Sequence, residues 1–333
     1  HLGSVTAAAL ASVGHQVVGL DPDATVIEGL SQGRAPLLEP GLDALIQAGL
    51  REGRLGFSND LGAGVASAGL ELLWVTFDTP VDDDDRADVD SVIGHTESVL
   101  PHLAPGTVVL VSSQLPVGSV ARLEAFCRRE LPERGLEFAC APENLRLGRA
   151  LDVFLKPDRL VVGVRPGRAR DVIARLVEPW APPVEWMSVE SAEMTKHAIN
   201  AFLATSVAWA NEIAALCELV GADAKEVERG LKTESRVGAK AYVSPGGPFA
   251  GGTLARDIAY LGLQAQAHAL ATPLLSAVGP SNDAHKQWAR RQLLAYRAYA
   301  APSATSWQSL HDLYQLVRGP LNTPLNGETA PIE

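Results

Sequence analysis

The chain has 333 residues, 47% of them apolar and 20% charged, with a formal net charge of −11. That composition is globular, with room for roughly two domains, and an acid excess with no long basic cluster excludes a nucleic-acid or anionic-membrane surface. Three scattered cysteines, Cys127, Cys140 and Cys217, exclude a disulfide framework and offer no metal site, so a reduced cytoplasmic setting is expected. No apolar run is read as a membrane span, and "HLGSVTAAALASVGH" lacks the basic flank of a signal peptide.

In chain order, "SVTAAALASVGH" is helix-prone and Gly14 makes a stop. "HQVVGLD" follows as a short β-branched strand ending in Asp21, then helical patterns over 23–32 and 42–52. "LELLWVTF" (70–77) reads as a buried strand, 88–103 as a helix, "GTVVLVSS" (106–113) as another buried strand and 118–131 as a helix. "LEFACAP" (136–142) and "RLVVGV" (159–164) are further strands. Continuous apolar strands separated by helices predict an α/β fold, with a parallel sheet covered on both faces.

The pattern opens on a helix, whereas a dinucleotide site needs strand, glycine turn and helix in that order. Gly3 can supply only the third glycine of GxGxxG, and Asp21 lies eighteen residues further on, a spacing that suits an acid on an adenosine ribose. On these two residues alone a plain helix–strand unit is equally good.

The second half reads as helical. From 189 to 220 apolar residues recur with a period near 3.6, a helix of about 45 Å at 1.5 Å per residue. Such a length suits a helix that spans two domains or builds a dimer interface. Lys196 and Asn200 share one of its faces, where they either reach a common ligand or form a solvated surface. Helices are expected over 223–232, 254–268 and 271–297, and the Pro-, Asn-, Gly- and Thr-rich stretch after 298 is expected to be largely disordered.

In order along residues 1 to about 290, seven segments resemble the UDP-glucose/GDP-mannose dehydrogenase family. "HLGSVTAAALASVGHQVVGLD" resembles its glycine turn, helix and second strand, without the first strand. "LLEPGLDALI" (37–46), "DTPVDDDDRADVD" (78–90), "SQLPVG" (113–118) and "APENLRLG" (141–148) are similar to its EPGL, TP-loop, Ser-Thr-Val-Pro and Asn-Pro-Glu-Phe-Leu segments. "SAEMTKHAINAFLATSVAWANEIAALCE" (191–218) resembles its central helix, and "RVGAK" (236–240) completes the series.

The resemblance implies a Rossmann-like doubly wound parallel sheet, its first strand missing, over 1–185. An all-helical central and dimerisation domain would follow over 186–297, then an irregular tail over 298–333 with no trace of the family's C-terminal nucleotide-sugar-binding domain. It implies NAD as cofactor and a nucleotide sugar as substrate, oxidised at C6 in a cytoplasmic homodimer for polysaccharide precursor synthesis. Gly3, Asp21, Thr79, Pro80 and Gln114 would then bind the cofactor. Glu143, Lys196, Asn200 and Asp257 would be catalytic, and Asn144, Leu145, Arg236, Lys240 and Gly251 would bind substrate. The chemistry suits these types: hydride removal from an alcohol needs a base for the hydroxyl proton and donors for the developing oxyanion.

There are departures. The family's nucleophilic cysteine falls on Thr253 in "GGPFAGGTLARD" (246–257), or is deleted, and a hydroxyl is a far weaker nucleophile than a thiolate. Asp78, Gln114, Asn144 and Leu147 also replace other family residues, so the sugar stays open. An enzyme that stops after one two-electron step, or a binding scaffold, is the alternative expectation.

Overall fold

Helix α1 (Leu2–Ser12) carries mostly small side chains, and nine of its 11 residues are buried. Gly3 shows why small residues are needed: a Cβ there would come within 2.9 Å of the Thr76 hydroxyl oxygen. Gly14, at φ 106°, turns the chain into β1 (Val17–Leu20). Helices α2 (Ala24–Ser31) and α3 (Leu42–Arg51) then lead to β2 (Leu55–Ser58), which pairs in parallel with β1. Asp23 caps α2 by accepting from the Thr25 and Val26 amides.

The computed structural model describes residues 1–299 other than 61, 63–68, 81–86, 144 and 251. The expected disorder of the tail, and the expected site positions Asn144 and Gly251, therefore lie outside the described residues. The chain forms two compact units, which divide after Lys196.

In the first unit the chain continues through β3 (Leu72–Val75), α4 (Val89–Val99), β4 (Val108–Val111), α5 (Ser119–Glu130) and β5 (Glu137–Cys140). Then come α6 (Ala150–Leu155), β6 (Leu160–Val164), α7 (Ala169–Val177) and β7 (Val184–Met187). Strands β3 to β7 lie side by side in chain order. All four residues of β4 are buried, as its unbroken apolar sequence requires. Val109 and Val111 pack with Val92, Ile93 and Leu123 on one face; Val108 and Leu110 pack with Val162 and Ile173 on the other.

One expectation is corrected. The sheet is not wholly parallel, because β6 runs antiparallel to β5. The intervening α6 packs its Ala150 into the cluster of Val5, Leu42 and Ile46, so it does not serve as a crossover helix on the β5–β6 face. Among the described residues β1 pairs only with β2 and β3 only with β4. Both line one cavity of about 670 Å³, together with His1, Gly3 and Thr6 of the α1 segment.

Helix α8 (Val189–Val220) begins in the first unit and continues into the second. By length and composition it is long and apolar enough to cross a membrane, which corrects the expectation that no run is. Its small residues nevertheless serve a packed core: Ala204 and Ala208 meet Val278, with Phe249, Leu254 and Ile258 around them. Helices α9 (Ala224–Thr233), α10 (Leu254–Ala267), α11 (Pro273–Lys286) and α12 (Trp288–Tyr299) complete the second unit. The single helix expected over 271–297 is two, parted at Gln287.

Candidate active site

In the first unit, Glu143 follows β5 and Lys196 lies two turns into α8. The Lys196 ammonium donates to the Glu143 backbone carbonyl at 2.7 Å. The Glu143 carboxylate accepts the Leu145 amide. Burial raises its pKa, the Leu145 amide and Lys196 oppose that, and Asp78 adds to it. The net rise makes Glu143 a carboxyl able to hold a proton nearer neutrality than an exposed glutamate.

That shift has a definite sign. The folded state favours protonated Glu143, so its stabilising contribution is full below the ordinary value of 4.5 and is lost as pH rises through the folded value. Denaturant melts of the protein and of Glu143→Gln, from about pH 4 to about pH 8, should show the protein losing stability relative to the variant as pH rises. Parallel curves would mean that Glu143 titrates normally.

Two loops that carry candidate residues are fixed by carboxylates from elsewhere. Glu193 on α8 is buried and accepts from the Gly118 and Val120 amides at 2.8 and 3.0 Å. It thereby caps α5, whose N-cap position is Gly118 and which has no side-chain cap of its own. Glu39, in the "EPGL" segment, is equally buried and accepts from the Gly148 and Ala150 amides, both at 2.8 Å. It caps α6, which also lacks a local cap, and His1 Nε2 lies 3.2 Å from it. The Thr79 hydroxyl donates to the Gln114 carbonyl at 2.7 Å and ties the two expected cofactor loops together. The Pro80 carbonyl accepts from the Asp88 amide at 2.8 Å.

Gly3 at the start of α1 and Asp21 beyond β1 both line the large cavity. A helix N-terminus and a carboxylate past a strand end suit a pyrophosphate and an adenosine ribose, so these residues fit the adenosine half of a dinucleotide. Asp21 Oδ1 also accepts from the Asp23 amide at 2.9 Å. Leu145 packs beside the cluster of Leu42 and Ala150. Cys140 offers no substitute nucleophile: burial, and then the charge of Glu193, push its thiol far above the ordinary range.

In the second unit, Asp257 stands in the first turn of α10 and is fully buried. His197 Nδ1 lies 2.7 Å from Asp257 Oδ1, and the Asn200 amide donates to Oδ2. Asp257 thereby takes both His197 and Asn200, which lie three residues apart on α8. Tyr260 stands edge-on to His197 at 5.5 Å, and burial pushes its phenol up to about 12.

Thr253 occupies the N-cap position of α10, exposed, with its hydroxyl making no capping bond. The preceding glycine-rich loop is fastened by two buried asparagines. Gly246 donates to Asn211 at 2.9 Å, and Phe249 exchanges two bonds with Asn282, each 2.9 Å. Arg236 is exposed and pairs with Glu234 at 2.9 Å in its own turn; Lys240 is exposed nearby.

Sequence reasoning missed Glu39, Glu193 and His197. A signal existed for Glu193, an acid three residues before Lys196 in a helix of mostly apolar residues. For Glu39 it was only Arg149, a residue that cannot cap, at the start of a distant helix.

Residues 1–181 match the model of the UDP-glucose/GDP-mannose dehydrogenase family's NAD binding domain, and 190–284 that of its central domain. The chain is 34% identical to a UDP-glucose 6-dehydrogenase of Rhizobium meliloti, over 89% of this chain and 68% of that protein. It is 32% identical to one of Pseudomonas aeruginosa, over 86% and 64%. The chain thus spans about two thirds of the length of these curated relatives. Its fold superposes on a UDP-glucose dehydrogenase from Pyrobaculum islandicum with a TM-score of 0.80 and 30% identity, over 90% of this chain and 69% of that one.

Proposed function

The chain belongs to the UDP-glucose/GDP-mannose dehydrogenase family, and on that premise we propose that it oxidises the C6 alcohol of a UDP- or GDP-sugar for polysaccharide precursor synthesis in the cytoplasm. NAD, when bound, supplies the hydride acceptor, and residues 1–185 are its domain in this reading. The remaining work falls to the chain's own groups. Gly3, Asp21, Thr79, Pro80 and Gln114 hold the dinucleotide. Lys196 and Asn200 donate to the developing oxyanion, while Glu143 holds a proton and Asp257 sets the Asn200 amide. Leu145, Arg236 and Lys240 contact the nucleotide sugar.

The observation that carries this reading is the Lys196 ammonium, 2.7 Å from the Glu143 carbonyl, beside a carboxyl whose pKa is raised. Millimolar NAD with UDP-glucose, a UDP-N-acetylhexosamine or GDP-mannose should yield NADH with at least one sugar. No turnover with any of them would overturn the proposal. NADH per sugar is a second readout, since Thr253 stands where the family has its thiol: two per sugar means oxidation to the carboxylate.

A second copy of the chain is the proposed protein partner. Helix α8 exposes Phe202, Trp209 and Leu216 at heptad spacing, followed by Leu219 and Val220. Light scattering should give a dimer mass for the protein and a monomer mass for Phe202→Glu combined with Leu216→Glu. A monomeric parent protein would refute the interface.

A further inference from the structure

Adjacent serines after β4 have opposite fates. The Ser112 hydroxyl accepts from the Trp74 indole at 2.7 Å and donates to the Ala141 carbonyl. The Ser113 hydroxyl is buried and, among the described residues, has no hydrogen-bond partner. Leaving such a group unmade costs about 1–3 kcal/mol, so an orphan beside a candidate site calls for an occupant. Ser113 lines a cavity of about 20 Å³ together with Gln114, Cys140, Glu143, Glu193 and Lys196. One water needs about 10–15 Å³ and two to four polar partners.

We propose that this cavity is a single-water site, in which one ordered water joins the Ser113 hydroxyl to the Lys196 ammonium and the Glu193 carboxylate and so positions Lys196. The chemistry of the lining selects the occupant. A cation would meet the Lys196 ammonium, an anion would meet Glu193, and an apolar group would leave the Ser113 hydroxyl unmet; a neutral molecule that both donates and accepts suits all three. The bonding is also available. Each Glu193 oxygen accepts one backbone amide and the Lys196 ammonium donates to the Glu143 carbonyl; a carboxylate and an ammonium each bond several partners at once, so a water can join those already present. Ser113 is thus a positioning residue, acting on Lys196 through the water and touching neither substrate nor cofactor.

Only the kinetic part of the test rests on the proposed function. A crystal structure of the unmodified chain that resolves ordered waters should show a peak about 2.6–3.2 Å from Ser113 Oγ and Lys196 Nζ. Empty density there overturns the site, whether or not the protein turns over a sugar. Ser113→Ala removes a water partner, and Ser113→Thr keeps a hydroxyl but fills the space with a methyl group. Both should lower kcat about tenfold and shift its pH profile, with the KM for NAD unchanged. Wild-type kcat and pH profile in Ser113→Thr, with the water gone from its density, would overturn the positioning role. Absence of turnover in the parent protein would refute the functional reading and leave the density to decide the site.

Discussion

Lys196→Ala should lower kcat by about 10²–10³-fold, the cost of removing one donor aimed at a developing oxyanion. The effect is expected to be chemical rather than structural. Lys196 is only partly buried, and the loop whose Glu143 carbonyl it bonds is held independently by Glu39. The variant's thermal midpoint should therefore stay within a few degrees of the parent's, and the KM for NAD should change little. Asp257→Ala makes the contrast. It empties a fully buried position and leaves His197 and Asn200 without their shared acceptor, so activity and stability should fall together, the latter by about 3 kcal/mol or more. Stopped-flow turnover and calorimetry on both variants check the pair. A fall of less than tenfold for Lys196→Ala with full stability would remove the lysine from the chemical step.

What was legible in the sequence follows from which physics is local. Helix α8 could be read end to end because its 3.6-residue period persists for nine turns, and β4 because "VVLV" is apolar on both faces. The strand β2 was missed since "LGFS" is short and carries a glycine, and its pairing with β1 is a distant event. β7 was missed for a similar reason, with "VEWM" interrupted by an exposed acid. The antiparallel β6 depends on where α6 packs, which no local pattern states. The break at Gln287 falls in a segment whose apolar period runs on through both helices. Glu143, Lys196, Asn200 and Asp257 entered as candidates through resemblance to a family. The buried carboxylates that cap α5 and α6 did not, since each acts on a helix more than 70 residues away in sequence. Retained polar positions are visible in a chain; the partner each one meets is a property of the fold.

A strand placed between β1 and β3 should stabilise the first unit and tighten NAD binding, and this is the largest effect expected outside the catalytic groups. Both strands run toward Asp21 and Asp78, and each presents an edge that is unpaired among the described residues to the same cavity of about 670 Å³. The start of α1 lies at that end, as the close approach of Gly3 to Thr76 shows. An extension of five β-branched residues and a short glycine turn, fused ahead of His1, can therefore enter parallel to its neighbours and leave at α1. Burying five such side chains contributes about 10 kcal/mol, and ordering the segment costs about 8 kcal/mol, with ladder hydrogen bonds adding about 1 kcal/mol to the gain. A net of about 3 kcal/mol corresponds to a rise of roughly 6–12 °C in the unfolding midpoint for a unit of this size. The turn would complete the amides that face a pyrophosphate, so NAD affinity should tighten at least about tenfold from a starting Kd weaker than about 100 μM. The same extension with a central proline, which cannot complete the ladder, is the control and should do neither. Micromolar NAD binding by the unextended chain, or equal shifts from the two extensions, would mean that the cavity between β1 and β3 is not a strand site.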